Sequence, residues 1–77
     1  MVATMNVAVP GDLLVVNSMA AVSVKDPAGR PTTQLRSGDV LLVIAMCWQT
    51  HDRPIGLCAR TGLMVTLPHA MHLERAQ

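Results

Sequence analysis

Apolar and polar residues alternate along this chain in short stretches broken by Pro, Gly and Asp. No window sets apolar residues at i, i+3, i+4 and i+7 against a polar opposite face, so the pattern predicts no α-helix longer than about two turns. Pro10, Pro27, Pro31, Pro54 and Pro68 divide the chain into segments rich in Val, Leu, Ile and Thr, which fit a pleated surface. The pattern predicts an all-β chain of five or six antiparallel strands. A first strand is expected over Met5 to Val9, with Met5, Val7 and Val9 on one face. A second runs Leu13 to Val16 and on toward Val24. The third spans Val40 to Cys47, the fourth Ile55 to Arg60 and the fifth Leu63 to Leu67, with a short last strand at Leu73-Glu74. Turns fall at Pro10-Gly11-Asp12, at Asp26-Pro27-Ala28-Gly29, at Gly38 and at Thr61-Gly62. Lys25 to Ser37 and Gln49 to Pro54 are expected as polar loops, and His69 to His72 as one 3₁₀ turn.

Two features complicate a simple alternation. Gly11 to Met19 echoes Gly38 to Met46, each opening on Gly-Asp and continuing as an aliphatic strand. Two strands that merely share a Gly-Asp turn account for such an echo more readily than a duplication does. The aliphatic strands are also apolar on both faces. Val40, Leu42, Ile44 and Met46 share one face of the third strand, and Leu41, Val43, Ala45 and Cys47 the other. A half-solvated antiparallel sheet alternates apolar and polar residues, so one of these faces is surplus to a single core. Leu42, Ile44, Leu57, Val65 and Leu67 are expected together in the core. Leu41, Val43 and Ala45 are expected to form an intermolecular interface, with Met5 and Val7 of the N-terminal segment as a second contributor.

Composition sharpens the case for a partner. The chain has 77 residues, with 51% hydrophobic, 14% charged and a net charge of +1. That is too apolar for a disordered tail and too neutral for an electrostatic nucleic-acid binder. The longest apolar run, Val40 to Trp48, falls well short of the roughly 20 residues of a membrane helix. There is no Phe, no Tyr and one Trp, so the core lacks the rings that usually fill small domains. Domains this small commonly draw on staples, metals or neighbouring subunits. Met1 to Val9 carries no Lys or Arg and does not read as a secretory signal. The expected location is cytoplasmic, or a virion if the chain is a structural part.

Candidate chemistry is sparse. Cys47, His51, Asp52, Cys58, His69 and His72 are the candidate metal or acid–base groups; Cys47 and His51 are four apart and His69 and His72 three apart, but there is no Cys-x-x-Cys, and they read as exposed loop histidines and buried small thiols. Asp12, Asp26 and Asp39 fall in turns, where carboxylates cap backbone N–H groups. Cys47 and Cys58 flank one loop, and a bridge between them is not expected in a reducing cytosol. We assign no catalytic, cofactor-binding or metal-binding residue, and expect no cofactor. One Trp offers no stacking platform for single-stranded nucleic acid.

The segment Leu35-Arg36-Ser37-Gly38-Asp39-Val40-Leu41-Leu42-Val43 resembles the diverging turn and second strand of SH3-like barrels. Gly62 to Leu73 resembles their last hairpin strand, Pro, 3₁₀ turn and final strand. Within that class, Met64-Val65-Thr66-Leu67-Pro68 followed by Leu73-Glu74-Arg75 is similar to the tail of type II dihydrofolate reductases, small SH3-like chains that form tetramers. The Gln and Tyr that bind ligand in those enzymes correspond here to Val65 and Leu67. The resemblance implies an N-terminal strand or arm over residues 1–12, a small SH3-like barrel over 13–77, and assembly into an oligomer. The expected function is a non-enzymatic subunit or accessory protein of a larger assembly, such as a structural component of a phage or mobile element. The alternatives are a small oligomeric reductase and an adaptor for a peptide or nucleic acid. Homo-oligomer or larger protein assembly is the expected partnership, with nucleic acid the less favoured alternative and no membrane.

Overall fold

In the computed structural model, residues 8–45 and 54–76 are described. They form β1 (Leu13–Val16), β2 (Val22–Lys25), β3 (Pro31–Leu35), β4 (Val40–Ala45), β5 (Ile55–Cys58), β6 (Met64–Thr66), a 3₁₀ turn (Ala70–His72) and β7 (Leu73–Arg75). The all-β class is as expected, and seven strands make two sheets. One is five-stranded in the order β6-β5-β4-β1-β7, and the other is the β2-β3 hairpin. The first strand expected at Met5 to Val9 lies outside the described residues except at Ala8 and Val9, which belong to no strand.

The polar stretch Lys25 to Ser37 is a correction to the expected long loop. Asp26 closes a tight turn, its carboxylate accepting the N–H groups of Ala28 and Arg30 at 2.9 Å each. The flanking residues pair as a hairpin, with Val22 opposite Leu35 and Val24 opposite Thr33. Only Val24 and Leu35 of this hairpin are fully buried. Two apolar contributions among polar neighbours hide the strand from a periodicity argument, because its outward residues are as hydrophilic as a loop.

The echo of the two Gly-Asp segments proves to be structural. β1 and β4 pair antiparallel, with Leu13 opposite Leu42, Leu14 opposite Leu41 and Val15 opposite Val40. Adding 27 to a β1 position gives its β4 counterpart, and this ladder maps onto itself under that exchange. The Gly11 N–H donates to the Val43 carbonyl and the Gly38 N–H to the Val16 carbonyl, both at 2.8 Å. The Val43 N–H donates to Asp12 O at 2.9 Å, and the Val16 N–H to Asp39 O at 2.8 Å. A local two-fold axis therefore passes between Leu14 and Leu41. Each unit begins with a four-residue turn, Val9 to Asp12 or Arg36 to Asp39, closed by an N–H to carbonyl bond between its ends. Gly11 and Gly38 hold the third position at φ 99° and 95°, a conformation that glycine adopts without the Cβ penalty.

One contiguous core lies beneath the five-stranded sheet. It joins Leu14, Val16, Leu41, Val43, Cys58, Val65, Leu67 and Leu73 to Val24 and Leu35 of the hairpin, with Ala8 at one end. Val65 and Leu67 are buried as expected, whereas the two faces of β4 are exchanged. Leu41 and Val43 are 0% and 1% exposed, and Leu42 and Ile44 are 37% and 39% exposed. Leu41 and Val43, expected as an interface, are core residues, and Ala45 is half-buried. Leu42 and Ile44, expected in the core, face outward. Met5 and Val7 lie outside the described residues. The exchange follows from register, since a one-residue shift moves a strand's whole side-chain set to the other face. Leu41 pairs with Leu14, and Val16 pairs with Leu73 on the same inner side.

Candidate functional site

The outward face of the five-stranded sheet is built from directly paired aliphatic residues. Leu13 on β1 stands opposite Leu42 on β4, Leu42 opposite Leu57 on β5, and Leu57 opposite Met64 on β6. Side chains of directly opposed residues project to the same side of a sheet, so these four form a row across four strands. Leu13, Leu42 and Met64 are exposed and Leu57 is half-buried. Val15 and Val40, themselves a direct pair, lie next to the row and are half-buried. A bulge follows on β4, where the pairing shifts between Val43 and Ala45. Ile44, at that bulge, extends the exposed surface. The charged residue on this face is Glu74, opposite Val15 on β7. Its carboxylate accepts a long hydrogen bond from the Asn17 amide at 3.4 Å.

The sheet is held from its ends by two carboxylates at equivalent positions of the two Gly-Asp units. Each accepts the N–H of the residue three earlier: Val9 to Asp12 at 2.9 Å and Arg36 to Asp39 at 2.8 Å. Each also meets an arginine. Arg75 Nη1 lies 3.0 Å from Asp12 Oδ2, and Arg60 binds Asp39 in a fork, with Nε to Oδ1 at 2.8 Å and Nη2 to Oδ2 at 3.1 Å. Arg60 Nη2 also donates to the Gln34 carbonyl at 3.0 Å, so it ties the β5–β6 turn to β3. The Arg60 side chain, with help from the Arg36 N–H, holds the Asp39 carboxyl below the usual range against the opposing effect of burial. The Val9 N–H and then Arg75 do the same for Asp12. Both carboxylates are engaged by structural donors.

The remaining titratable groups are dispersed. His69 Nδ1 accepts the Met71 N–H at 3.1 Å and caps the 3₁₀ turn. Cys58 is a fully buried free thiol within the core. Cys47, His51 and Asp52 lie outside the described residues. Among the described residues, no three His, Cys, Asp or Glu side chains gather as a metal site, and no helix is long and apolar enough to cross a membrane. Val65 and Leu67, at the positions of the reductases' ligand-binding Gln and Tyr, are 0% and 5% exposed. No family model, curated protein or solved structure matches the chain.

Sequence reasoning expected Leu41 and Val43 outward and Leu42 and Ile44 inward, the reverse of the observed burial. Glu74 carried the missing signal. Leu73 begins a last strand, so its neighbour Glu74 points outward, and the residues that share the face of Glu74 are Val15, Val40, Leu13 and Leu42.

Proposed function

We propose that this chain is a non-enzymatic β-sheet subunit that works by docking onto protein within a larger assembly, the role that capsid, tail or connector parts play in phages and other mobile elements. The single observation that carries this reading is the outward row Leu13, Leu42, Leu57 and Met64, continued by Ile44. The side chains of the row offer apolar contact. Each Å² of that surface left in water forgoes about 25 cal/mol of burial. Leu13, Leu42, Ile44 and Met64, at 37–49% exposure, leave on the order of 300 Å² of surface together, the size of the largest apolar patch on a typical monomer, which is often functional.

The strand order also supports the SH3-like likeness drawn from the sequence. A hairpin separates β1 from β4, β4 to β6 follow one another as neighbours, and a 3₁₀ turn leads to a last strand beside β1. Folds of this kind serve many roles, so the docking face and not the fold carries the functional argument. The Leu42→Lys, Met64→Lys double variant tests the reading. It should keep the strand signature in circular dichroism and the cooperative unfolding of the parent, and should be more soluble at high concentration. A double variant that unfolds would mean that the row is part of the chain's own core.

A further inference from the structure

We infer that Asn17 is a self-modification site, where the side-chain amide is lost through a cyclic imide to leave aspartate or isoaspartate. The inference is independent of the docking reading and rests on how the end of β1 is held. Asn17 follows β1 directly, is exposed and belongs to no strand. The next residue is Ser18, whose small side chain does little to shield its own nitrogen. The Ser18 N–H has no acceptor among the described residues. The Ser18 hydroxyl is turned elsewhere, donating to the Ala20 carbonyl at 2.8 Å. The bonds that Asn17 does make leave the reacting atoms open. Its N–H donates to the His72 carbonyl at 2.7 Å, on the side of the residue away from Ser18. Its amide reaches Glu74 Oε2 at 3.4 Å, a length at which a hydrogen bond restrains weakly. The other asparagine, Asn6, precedes Val7, whose branched Cβ crowds the corresponding nitrogen.

The chemistry needs water and no other reagent. The Ser18 nitrogen attacks Asn17 Cγ, and its proton passes through water to the departing Nδ2. The Cγ–Nδ2 bond breaks, ammonia leaves, and a five-membered imide closes. Water then adds to one of the two imide carbonyls. Breaking the bond from Cγ to the Ser18 nitrogen gives aspartate. Breaking the bond from the Asn17 backbone carbonyl carbon to that nitrogen gives isoaspartate, with the main chain rerouted through Cβ and Cγ.

The product bears on the fold at one place. A carboxylate replaces the amide donor beside Glu74, and the net charge of +1 falls by one. In its sheet β7 pairs with β1 alone, through Leu14–Arg75, Val15–Glu74 and Val16–Leu73. Two like charges at the end of that ladder repel, less so in salt, and the bond from residue 17 to the His72 carbonyl lies beside them.

Peptide mapping of the full chain during incubation at mildly alkaline pH tests the site. The expected result is a gain of about 1 Da at residue 17, with part of the product accepting methyl groups from a protein-isoaspartate methyltransferase. The rate in the folded chain should lie within about tenfold of that in the urea-unfolded chain, as for a segment the fold does not protect. Asn17→Gln should remove both signals. A folded chain that reacts more than about a hundredfold slower than the unfolded one, or that reacts at Asn6 first, overturns the site. The consequence has its own test. Asn17→Asp should speed hydrogen exchange of the residue 17 amide several-fold, and adding Glu74→Gln should reverse most of that change. Exchange at residue 17 that ignores Glu74→Gln overturns the charge clash.

Discussion

The two sides of β4 are chemically alike and structurally opposite. Leu41 and Val43 lie in the core, and Leu42 and Ile44, one residue along from each, stand more than a third exposed. Leu41 meets Leu14 from β1 at the local two-fold axis, under the cover of Val24 and Leu35 from the hairpin. Leu42 meets Leu13 and Leu57 beside it in the sheet. The comparison teaches that hydrophobicity does not by itself identify a core position. What separates the two sides is which one the rest of the chain folds over. The residues that decide it are distant in sequence: the paired inner residues Val16 and Leu73, and the close approach of β5 to Leu67.

The largest effect should separate the two sides by truncation. Leu41→Ala removes a fully buried side chain at the centre of the β1–β4 pair, and should cost about 2–5 kcal/mol in denaturant unfolding. Leu42→Ala should cost about 1 kcal/mol or less, since much of the side chain is already in water. Equal losses at the two positions would erase the distinction.

Gly56 sharpens the comparison from the neighbouring strand. It pairs with Val43 and Val65, and a Cβ built on it would lie 2.8 Å from Leu67 Cδ2 and 3.5 Å from Leu41 Cβ. The inner side is packed so closely here that β5 contributes backbone alone. Gly56→Ala should destabilise by about 1–3 kcal/mol, the usual range for overpacking. The tip of Leu67 must move to admit the methyl, so Gly56→Ala combined with Leu67→Ala should lose less than the two single changes added, as expected for residues in contact.

A smaller effect distinguishes the two Gly-Asp units. Their turns and ladder bonds are equivalent, yet Asp39 is 7% exposed and forked by Arg60, and the Asp12 side chain is 20% exposed and meets Arg75 at 3.0 Å. Both carboxyl groups are held below their usual range in the fold. Their contribution is therefore complete above the unfolded carboxylate value of about 3.9 and is lost as pH falls through the folded values. Asp39→Asn should lower the melting temperature at pH 7 more than Asp12→Asn, and should flatten the acid side of the stability profile. Salt should weaken the exposed Asp12–Arg75 pair first.

Much of this architecture is legible in the sequence. Val, Leu and Thr between Pro and Gly-Asp breaks indicate strands, and Gly11 and Gly38 mark turns that the structure bears out at positive φ. The 3₁₀ turn after Pro68 and the strand at Leu73 fall where the spacing puts them. The β2–β3 hairpin is hidden because Thr33 and Gln34 look like loop residues and only tertiary packing of Val24 and Leu35 makes the strands worthwhile. The side of β4 that faces water is hidden for a different reason. A strand apolar on both sides has no internal parity signal, so its orientation comes from the partners it meets, with Glu74 on β7 as the telling neighbour.

The central claim is that the two sides of β4 are separate, with Leu41 in the core and Leu42 facing outward. Guanidinium unfolding of Leu41→Lys and Leu42→Lys, followed in parallel by circular dichroism, tests it most directly. Burying an unpaired ammonium at position 41 should abolish cooperative folding, because that charge has no partner in an aliphatic core. The same charge at position 42 should leave the midpoint within experimental error of the parent, because it projects into water. A folded Leu41→Lys protein beside an unfolded Leu42→Lys protein would contradict the account, and would return the inner side to Leu42 and Ile44.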